Sequence, residues 1–479
     1  MRKHIMKYMA CLVMLLTTFA ACSPDSDASD PGSITNKTYT LHFNLSPVSG
    51  SSASSRAETY TAGKPNTWED GSKEENMKSW TVVFVKSDGT VAKVVKKPSV
   101  EEGKDKEDVV TVTGLEAGTK YTVYSFANIS DTELGKLGTI TEGSPSPDFD
   151  SKTFAVNGND MDITKNGIPM SNKQTVTIGP DGQSDVKQLY VVRMLSKITL
   201  KFRNMTGQDI IVKNVSISDI TSNPATGTEN VKLLPATPVS SENVAQTPNL
   251  IENAKRDDFT HTITSGLTIA KNTTDYDSRS VSFYVNESQA GNAYPYFVVT
   301  LETNVGSQRY FMYTDWNQIA RNDHHVLKLA LSDYKLRLKV EDFGSIGSAP
   351  SLKDDGKQLN LIFHDLEEFH IIPSVTKYSD DSPVSFTNLE WKKLSESVVG
   401  DESKAFCTTP YIVTDKNIIE AATLGELGKK IGPIIYQLSV KVDDGTTTAP
   451  TLVYRVAISQ DLTWYSARRH NGAFWICKQ

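Results

Sequence analysis

Apolar and polar residues alternate with a period of two in many short stretches of this chain. In Thr38–Leu45 the alternation places Leu41, Phe43 and Leu45 on one face of a predicted strand. Further stretches of this kind are Val109–Thr113, Tyr121–Ala127, Tyr190–Phe202, Ile210–Ile217, Val281–Val285, Tyr296–Glu302, Phe369–Pro373, Val384–Trp391, Ile434–Val442 and Thr451–Ile458. The pattern predicts an all-β chain.

Turn chemistry joins two of the apolar stretches into a hairpin. Trp80–Val85 and Thr90–Val95 flank the turn signal Ser87-Asp88-Gly89. One segment has a different period: Ile418–Ile431 carries apolar residues at helical spacing and is followed by Gly432-Pro433. We therefore expect a helix there, ended by the glycine and proline.

Loop-rich polar segments suggest how the strands divide into domains. Gly179–Asp185 separates a first block from a second, and the Gly/Ser/Pro segment Gly344–Pro350 closes the second. With 479 residues, 38% of them hydrophobic, the chain is long enough for several cores. We expect tandem β-sandwich domains at 37–186 and 187–345 and a C-terminal Ig-like β-sandwich at 351–479.

The first residues have the form of an export signal. A basic start (Arg2, Lys3, Lys7) precedes the apolar run Met9–Phe19 and then Ala20-Ala21-Cys22. Small residues directly before a cysteine predict a bacterial lipoprotein signal peptide at 1–21, with Cys22 acylated as the first mature residue. An ordinary secretory signal that contains a cysteine is the alternative.

Residues 22–36 are polar, acidic and without apolar periodicity, which predicts a flexible tether. Acidic residues after a lipidated cysteine also resemble the signal that directs lipoproteins to the outer face of the outer membrane, although a plain solvated linker fits the segment too. The expected location is the cell outer membrane, held by lipid and exposed at the surface.

Charge and motifs exclude several function classes. Loss of the three basic residues with the signal changes the formal charge from −7 to −10, which argues against a nucleic-acid partner. No catalytic fingerprint is found, so we predict no enzyme, no catalytic residues and no cofactor. The sequence contains no CxxC motif and no clustered His-Cys spacing, so we predict no metal site. Cys407 and Cys477 remain after processing and are a candidate disulfide.

Several motifs, in their order along the chain, resemble the fimbrillin family of type V pilus subunits. The first strand is followed by a Ser-rich loop with Arg56-Ala57, an acidic stretch and the Trp80–Val85 strand. Val191–Leu200 is similar to the strand that opens the second fimbrillin domain, and Ile319–Leu329 resembles the family's Arg-Asn turn into a long strand. His325 stands where a tyrosine is usual. The resemblance spans roughly residues 34–345.

The resemblance implies both a fold and a mechanism of assembly. The first two domains are expected to be fimbrillin-like, transthyretin-like sandwiches. An Arg-specific protease would cut between Arg56 and Ala57, release the strand Thr38–Leu45, and open a groove that a strand from another pilus subunit fills. Arg56 as a solvated loop arginine is the alternative to a cleavage site.

The C-terminal block departs from the two-domain plan of the family. It favours a tip, accessory or anchor subunit over a plain stalk subunit. The Asn471-Gly472 turn near the end of the chain predicts a β-hairpin. This hairpin is expected either to belong to the third sandwich or to form a detachable donor segment.

Aromatic residues near this end are a second candidate site. Trp464, Tyr465 and Trp475 are a candidate platform for a sugar ring, and core packing is the alternative. A surface glycan-binding β-sandwich lipoprotein is therefore the alternative function. The expected partners are other pilus subunits through strand addition, outer-membrane lipid through Cys22, and a host protein or glycan.

Overall fold

The computed structural model describes most of the chain. The described residues are 37–48, 52–55, 73–154, 161–222, 231–240, 246–273, 275–276, 279–291, 295–305, 309–314, 317–342, 350–354, 358–364, 368–394, 401–424, 428–446, 449–463, 465–470 and 473–478. The predicted signal peptide, Cys22 and the tether lie outside them, and so do Arg56, Ala57 and Trp464.

The described residues are mostly strands, as the alternation predicts. The first group is β1 (Thr38–Pro47), β2 (Ser52–Ser55), β3 (Trp80–Lys86), β4 (Val91–Lys97), β5 (Asp108–Glu116), β6 (Lys120–Ala127), β7 (Thr153–Phe154), β8 (Met170–Thr177) and β9 (Gln188–Arg193). The second group is β10 (Leu195–Asn204), β11 (Ile210–Thr221), β12 (Val231–Lys232), β13 (Arg256–Ile269), β14 (Ser280–Asn286), β15 (Ser288–Gln289), β16 (Val298–Thr303), β17 (Arg309–Tyr313), β18 (Gln318–Ile319) and β19 (His324–Leu331).

The C-terminal part contains the remaining strands, and a few short helices complete the fold. The strands are β20 (Tyr334–Asp342), β21 (Ser351–Asp354), β22 (Gln358–Phe363), β23 (Glu368–Lys377), β24 (Pro383–Val384), β25 (Phe386–Lys393), β26 (Phe406–Val413), β27 (Ile418–Thr423), β28 (Lys430–Val442), β29 (Thr451–Asp461), β30 (Tyr465–His470) and β31 (Ala473–Lys478). The helices are α1 (Asp131–Leu137), α2 (Met161–Asn166) and α3 (Glu402–Ala405), with a 3-10 turn at Lys73–Glu75. The predicted class of tandem β-sandwiches is confirmed.

The N-terminal strands form one seven-stranded sheet in the order β4-β3-β6-β8-β9-β1-β5. The sheet folds back on itself, so that Phe43 of β1 meets Phe84 of β3 with ring centroids 5.8 Å apart. Residues Trp80–Val85 are all buried. Their second face packs against a separate cluster that includes Phe149, Leu134 and Leu233. A strand covered on both faces needs a continuous apolar run, which explains the composition of β3.

Two four-stranded sheets form the next sandwich, in the orders β14-β10-β19-β2 and β13-β11-β16-β17. Alternate residues of facing strands meet in one core, among them Ile198 and Leu200 of β10 and Val215 and Ile217 of β11. β10 and β19 run parallel, and β2 adds to the outer edge of β19, also parallel. The second sandwich therefore contains a strand from the N-terminal segment of the chain.

The C-terminal strands form two five-stranded sheets. The first has the path β20-β23-β27-β26 with β24 on β23, and the second the order β21-β22-β29-β28-β25. Their facing residues share one core, in which Phe363 and Phe369 are 4.5 Å apart between ring centroids. β30 and β31 pair with each other as a terminal hairpin.

The C-terminal sheets are joined to the second sandwich at two places. Only Ser332 and Asp333 lie between β19 of the second sandwich and β20 of the C-terminal sheet. At the second place, Tyr296 packs in a small cluster with Ile435 and Ala457, and the guanidinium of Arg455 lies 4.8 Å from the centre of the Tyr296 ring. β20 thus pairs with the C-terminal sheet although it lies inside the predicted domain 187–345. The domain limits themselves stay predictions.

The predicted helix at 418–431 is wrong. Ile418–Thr423 is β27, which pairs with both β23 and β26, and Lys430–Val442 is β28. The buried residues Ile419, Ala421 and Thr423 alternate along β27, and Leu424 is exposed. β-branched residues and burial between two neighbouring strands therefore outweigh the helical spacing of Ala421, Leu424 and Leu427 on which the helix prediction rests.

Candidate strand-exchange site

β1 is an inner strand of the seven-stranded sheet. It pairs antiparallel with β5 from Thr38↔Glu116 to Leu45↔Asp108, with a register shift after Tyr39. On its other edge Asn44–Pro47 pair in parallel with Gln188–Val191 of β9. The N-terminal strand is therefore hydrogen bonded on both edges and separates β5 from β9.

The side chains of β1 divide cleanly between the core and solvent. Phe43 and Leu45 are fully buried, and Leu41 is 9% exposed. On the opposite face the hydroxyl of Thr40 donates to that of Thr113, and the His42 ring bonds the Thr111 hydroxyl at 3.0 Å. The three residues proposed from the sequence as the face of a displaced strand thus occupy the core of the first sandwich.

The turn between β8 and β9 packs against the start of this strand. Gly182 has a φ of +78°, and a Cβ at this position would overlap the ring of Tyr39. Both the left-handed backbone and the lack of a side chain let the turn close over β1.

We expect Gly182→Ala to lower the free energy of unfolding by about 2–4 kcal/mol, because it adds a steric overlap to the strain of a positive φ. Gly89 is the matched control, since it has a φ of +85° and no atom within 4 Å of its virtual Cβ. Gly89→Ala should cost about 1 kcal/mol from the backbone alone. Urea denaturation of both variants measures the difference; equal losses would contradict the packing of the turn on Tyr39.

After β1 the chain crosses from the first sandwich to the second. The Val48 amide donates to the carbonyl of Val191 at 2.9 Å, and the Val48 side chain is buried against Val192 and Val239. Ser52–Ser55 then form β2, which pairs with His324–Leu327. Residues 38–55 therefore place one strand in each sandwich. β2 was missed in the sequence because its serines and alanine give no apolar alternation.

A buried polar network surrounds the crossing point. The Val48 carbonyl accepts hydrogen bonds from Arg193 Nη1 at 3.0 Å and from Asn322 Nδ2 at 3.3 Å. Arg193 Nη1 also donates to Asn322 Oδ1, and Arg193 Nε donates to the carbonyl of Glu75. Burial lowers the pKa of Arg193 to about 10, so the guanidinium remains charged at neutral pH.

Glu75 supplies the negative charge near this guanidinium. Its Oε1 accepts from Lys197 Nζ and from the Tyr284 hydroxyl, both at 2.7 Å. The three side chains are each less than a tenth exposed. The sequence signal for this network is the presence of a charged arginine and a charged lysine inside the apolar stretch 191–200. The fimbrillin resemblance includes that stretch but assigns a function to neither residue.

The remaining candidates from the sequence lie partly outside the described residues. Tyr465, Trp475 and Cys477 belong to β30 and β31, of which only the backbone is described. Cys407 is exposed, and its thiol lies 3.4 Å from the Thr423 carbonyl. The Cys407–Cys477 disulfide and the aromatic platform stay predictions.

The described residues contain no helix with the length and apolarity needed to cross a membrane. Among the same residues no cluster of three or more His, Cys, Asp or Glu side chains has an arrangement that would hold a metal ion.

Comparison with known proteins gives one family match. Residues 40–233 match the family model described as major fimbrial subunit protein (FimA), which is about two fifths of the chain. The match begins in β1 and extends to β12. It therefore covers the strand, the crossing point and the first strands of the second sandwich. No curated protein matches the chain.

Solved structures with some likeness include fimbrial proteins. The tip fimbrial protein Mfa3 from Porphyromonas gingivalis, with a C-terminal truncation, is 13% identical with a TM-score of 0.35, over 71% of this chain and 100% of that one. A fimbrial assembly protein from Parabacteroides distasonis is 12% identical with a TM-score of 0.33, over 72% and 99%. The family match, rather than these two likenesses, confirms the predicted resemblance to fimbrial subunits over residues 40–233.

Proposed function

We propose that the chain is a surface-exposed pilus component that is exported as a lipid-anchored precursor and assembles by β-strand donation. The role in pili follows from the match to the fimbrial subunit family. The observation that supports strand donation is the position of β1, which is hydrogen bonded to β5 and β9 and fills the first core with Phe43 and Leu45.

Release of this strand would leave a groove suited to another strand. The facing edges of β5 and β9 would offer unpaired backbone donors and acceptors, and Phe84 and Tyr121 would lie at the apolar floor. Main-chain hydrogen bonds supply affinity for an added strand, and alternate side chains in the pockets supply its register. The occupant we propose is a strand of another pilus subunit.

The C-terminal sheets support a role at a fibre end or branch. They add a separate core to the two sandwiches and are fixed to the second by the short β19–β20 connection and by the Tyr296 cluster. A subunit that only extends a stalk has no evident use for this addition. We therefore propose a tip, accessory or anchor subunit, in which the C-terminal part contacts a host protein, a glycan or another component.

Two processing steps complete the proposal. Cys22 becomes acylated and holds the exported chain on the outer membrane. Cleavage between Arg56 and Ala57 then separates residues 22–56, with β1 and β2, from the remainder. The lipid is lost together with both strands, so cleavage couples release from the membrane to opening of the groove.

Cleavage at Arg56 can be tested on the surface protein. We expect wild-type chains to show a mature start at Ala57 by N-terminal sequencing, together with SDS-resistant ladders. Arg56→Ala should give neither and should keep a palmitate label that Cys22→Ala removes. Lys64→Ala, a basic residue in the same stretch, is the matched control and should behave like the wild type.

Two outcomes would count against the proposal. A wild-type protein found only with a start at Cys22 would exclude cleavage while leaving the anchor in place. Ladders that form equally well in Arg56→Ala would exclude strand release as the step that permits assembly.

A further inference from the structure

Two side-chain donors converge on one backbone carbonyl at the point where the chain crosses between sandwiches. Arg193 Nη1 and Asn322 Nδ2 both donate to the carbonyl of Val48. Arg193 ends β9 and Asn322 lies just before β19, so the two sandwiches contribute one donor each. A carbonyl is common to every residue type, and these donors therefore recognise the position of a backbone rather than a particular side chain.

Both donors are held by groups outside the segment they bind. Arg193 Nε donates to the Glu75 carbonyl, and the backbone N–H of Asn322 donates to the Leu195 carbonyl at 3.0 Å. The side-chain Oδ1 of Asn322 accepts from Arg193. This bond fixes the side-chain amide so that its Nδ2 faces Val48. The arrangement would stay in place when residues 38–55 leave, and a preorganised site binds its next occupant at a smaller entropic cost.

We propose that Arg193 and Asn322 form a carbonyl receptor that anchors the backbone of the strand entering the groove. This inference rests on the proposed strand donation and specifies what the donor must present. The occupant is an extended segment of a second pilus subunit with a backbone carbonyl at the position of Val48.

The receptor is placed at a fixed distance from the apolar pockets. Leu45 and Phe43 fill their pockets three and five residues before Val48. A slip of one residue would move every side chain of the entering strand to the opposite face and would also take the carbonyl away from a buried arginine. A slip of two residues keeps the apolar face inward and again presents a carbonyl to the receptor. Such slips are therefore distinguished by the side chain that enters the position of Val48.

The entering residue at this position is itself restricted. Val48 is 3% exposed and packs on Val192 and Val239. A small apolar side chain fits there, and a charged or large one does not. The donor sequence is therefore expected to carry alternating apolar residues, followed three residues after the last of them by a small apolar residue.

A peptide-exchange experiment tests the receptor. A specific protease site is placed after Arg56 in the full mature chain, the chain is cut there, and a fluorescent peptide of residues 38–55 is exchanged into the groove. Asn322→Asp retains the acceptor for Arg193 and tolerates the positive φ of this residue but removes the donor to Val48. We expect the half-life of the bound peptide to fall about tenfold.

The matched control is Asn128→Asp. Asn128 is also buried with a positive φ, and its side chain donates to the carbonyls of Asn76 and Ile168, which lie outside residues 38–55. This variant should leave the half-life within about twofold of the wild type. An equal loss in both variants would assign the effect to general destabilisation and overturn the receptor.

A change in the peptide tests the same contact without altering the protein. Replacing the Val48–Ser49 amide by an alkene removes the carbonyl, and should shorten the half-life about tenfold in the wild-type chain and little further in Asn322→Asp. The same replacement at Thr38–Tyr39 is the control. Exchange that proceeds but does not depend on the Val48 carbonyl overturns only the receptor, whereas failure of the wild-type peptide to enter at all overturns the proposed strand donation together with it.

Discussion

Phe43→Ala is expected to lower the free energy of unfolding by about 3–5 kcal/mol, because it empties the centre of the first core. The Phe43 side chain is fully buried and faces Phe84, whose ring in turn lies edge-on to Tyr121 at 6.3 Å between centroids. The loss combines the transfer energy of the phenyl group with the cavity that its neighbours cannot fill. Urea denaturation followed by tryptophan fluorescence measures it, since Trp80 belongs to the same core.

His42→Ala is the matched control for this prediction. It changes the next residue of the same strand, whose ring lies on the exposed face and bonds only the Thr111 hydroxyl among the contacts described. We expect a loss below about 1 kcal/mol. If the two variants lost similar amounts, the first strand would not be seated in the core as described, and its release would open no apolar groove.

The stability that the first strand contributes to the core has a consequence for assembly. Burial of Leu41, Phe43 and Leu45 together stabilises the sandwich by roughly 5–9 kcal/mol at 1.5–3 kcal/mol for each large apolar side chain. A chain that loses these groups falls to marginal stability unless another strand replaces them. In the proposed assembly, an exchange in which one strand enters as the other leaves would avoid a long-lived empty groove.

Glu287→Gln is expected to cost about 3 kcal/mol, because it leaves the buried charge of Arg321 without its counter-charge. Both side chains are fully buried, and Arg321 Nε lies 3.3 Å from Glu287 Oε2. The guanidinium also donates to the carbonyls of Lys232 and Leu233. The pair therefore holds the segment around β12 against the second sandwich, and thermal unfolding should show a lower Tm.

The control is a salt bridge on the surface. Lys255 and Asp257 are 2.9 Å apart, but their side chains are 65% and 50% exposed. Asp257→Asn should cost less than about 1 kcal/mol, since solvent already screens the pair. A loss for Glu287→Gln as small as this would mean that other polar partners compensate the buried charge of Arg321, and that the ion pair contributes little to holding the segment around β12.

Strands with a simple environment could be predicted from the sequence. Thr38–Leu45 has one buried and one solvated face, so its period of two is visible, and the Trp80–Val85 hairpin is marked by its turn. The helix prediction at 418–431 is wrong because it follows the helical spacing of Ala421, Leu424 and Leu427. The short strand β27 has too few apolar residues on one face to show a clear period of two. The pairing of β27 with β23 and β26 determines the structure of this segment, and the local sequence pattern contains no information about that pairing.

The candidate site shows a similar division. The sequence indicated the strand and its three core residues, but neither β2 nor the polar network at the crossing point. β2 is held by backbone pairing with β19, and its composition of small polar residues resembles that of a loop. Arg193 and Asn322 meet only because two sandwiches come together, at a separation of more than a hundred residues in sequence. Such contacts depend on the assembled fold, so no local pattern contains them.

The short connection between β19 and β20 has a mechanical consequence. With only two residues between these strands, a pull on the C-terminal sheets is transmitted along β19 into the second sandwich. β19 is flanked there by β10 on one edge and β2 on the other, both parallel to it. Tension along the strand then loads the hydrogen bonds of both ladders together in shear, rather than opening them one after another. In the proposed subunit, which would adhere through its C-terminal part, the strand under tension is the direct neighbour of β2, one of the two strands that cleavage after Arg56 would release.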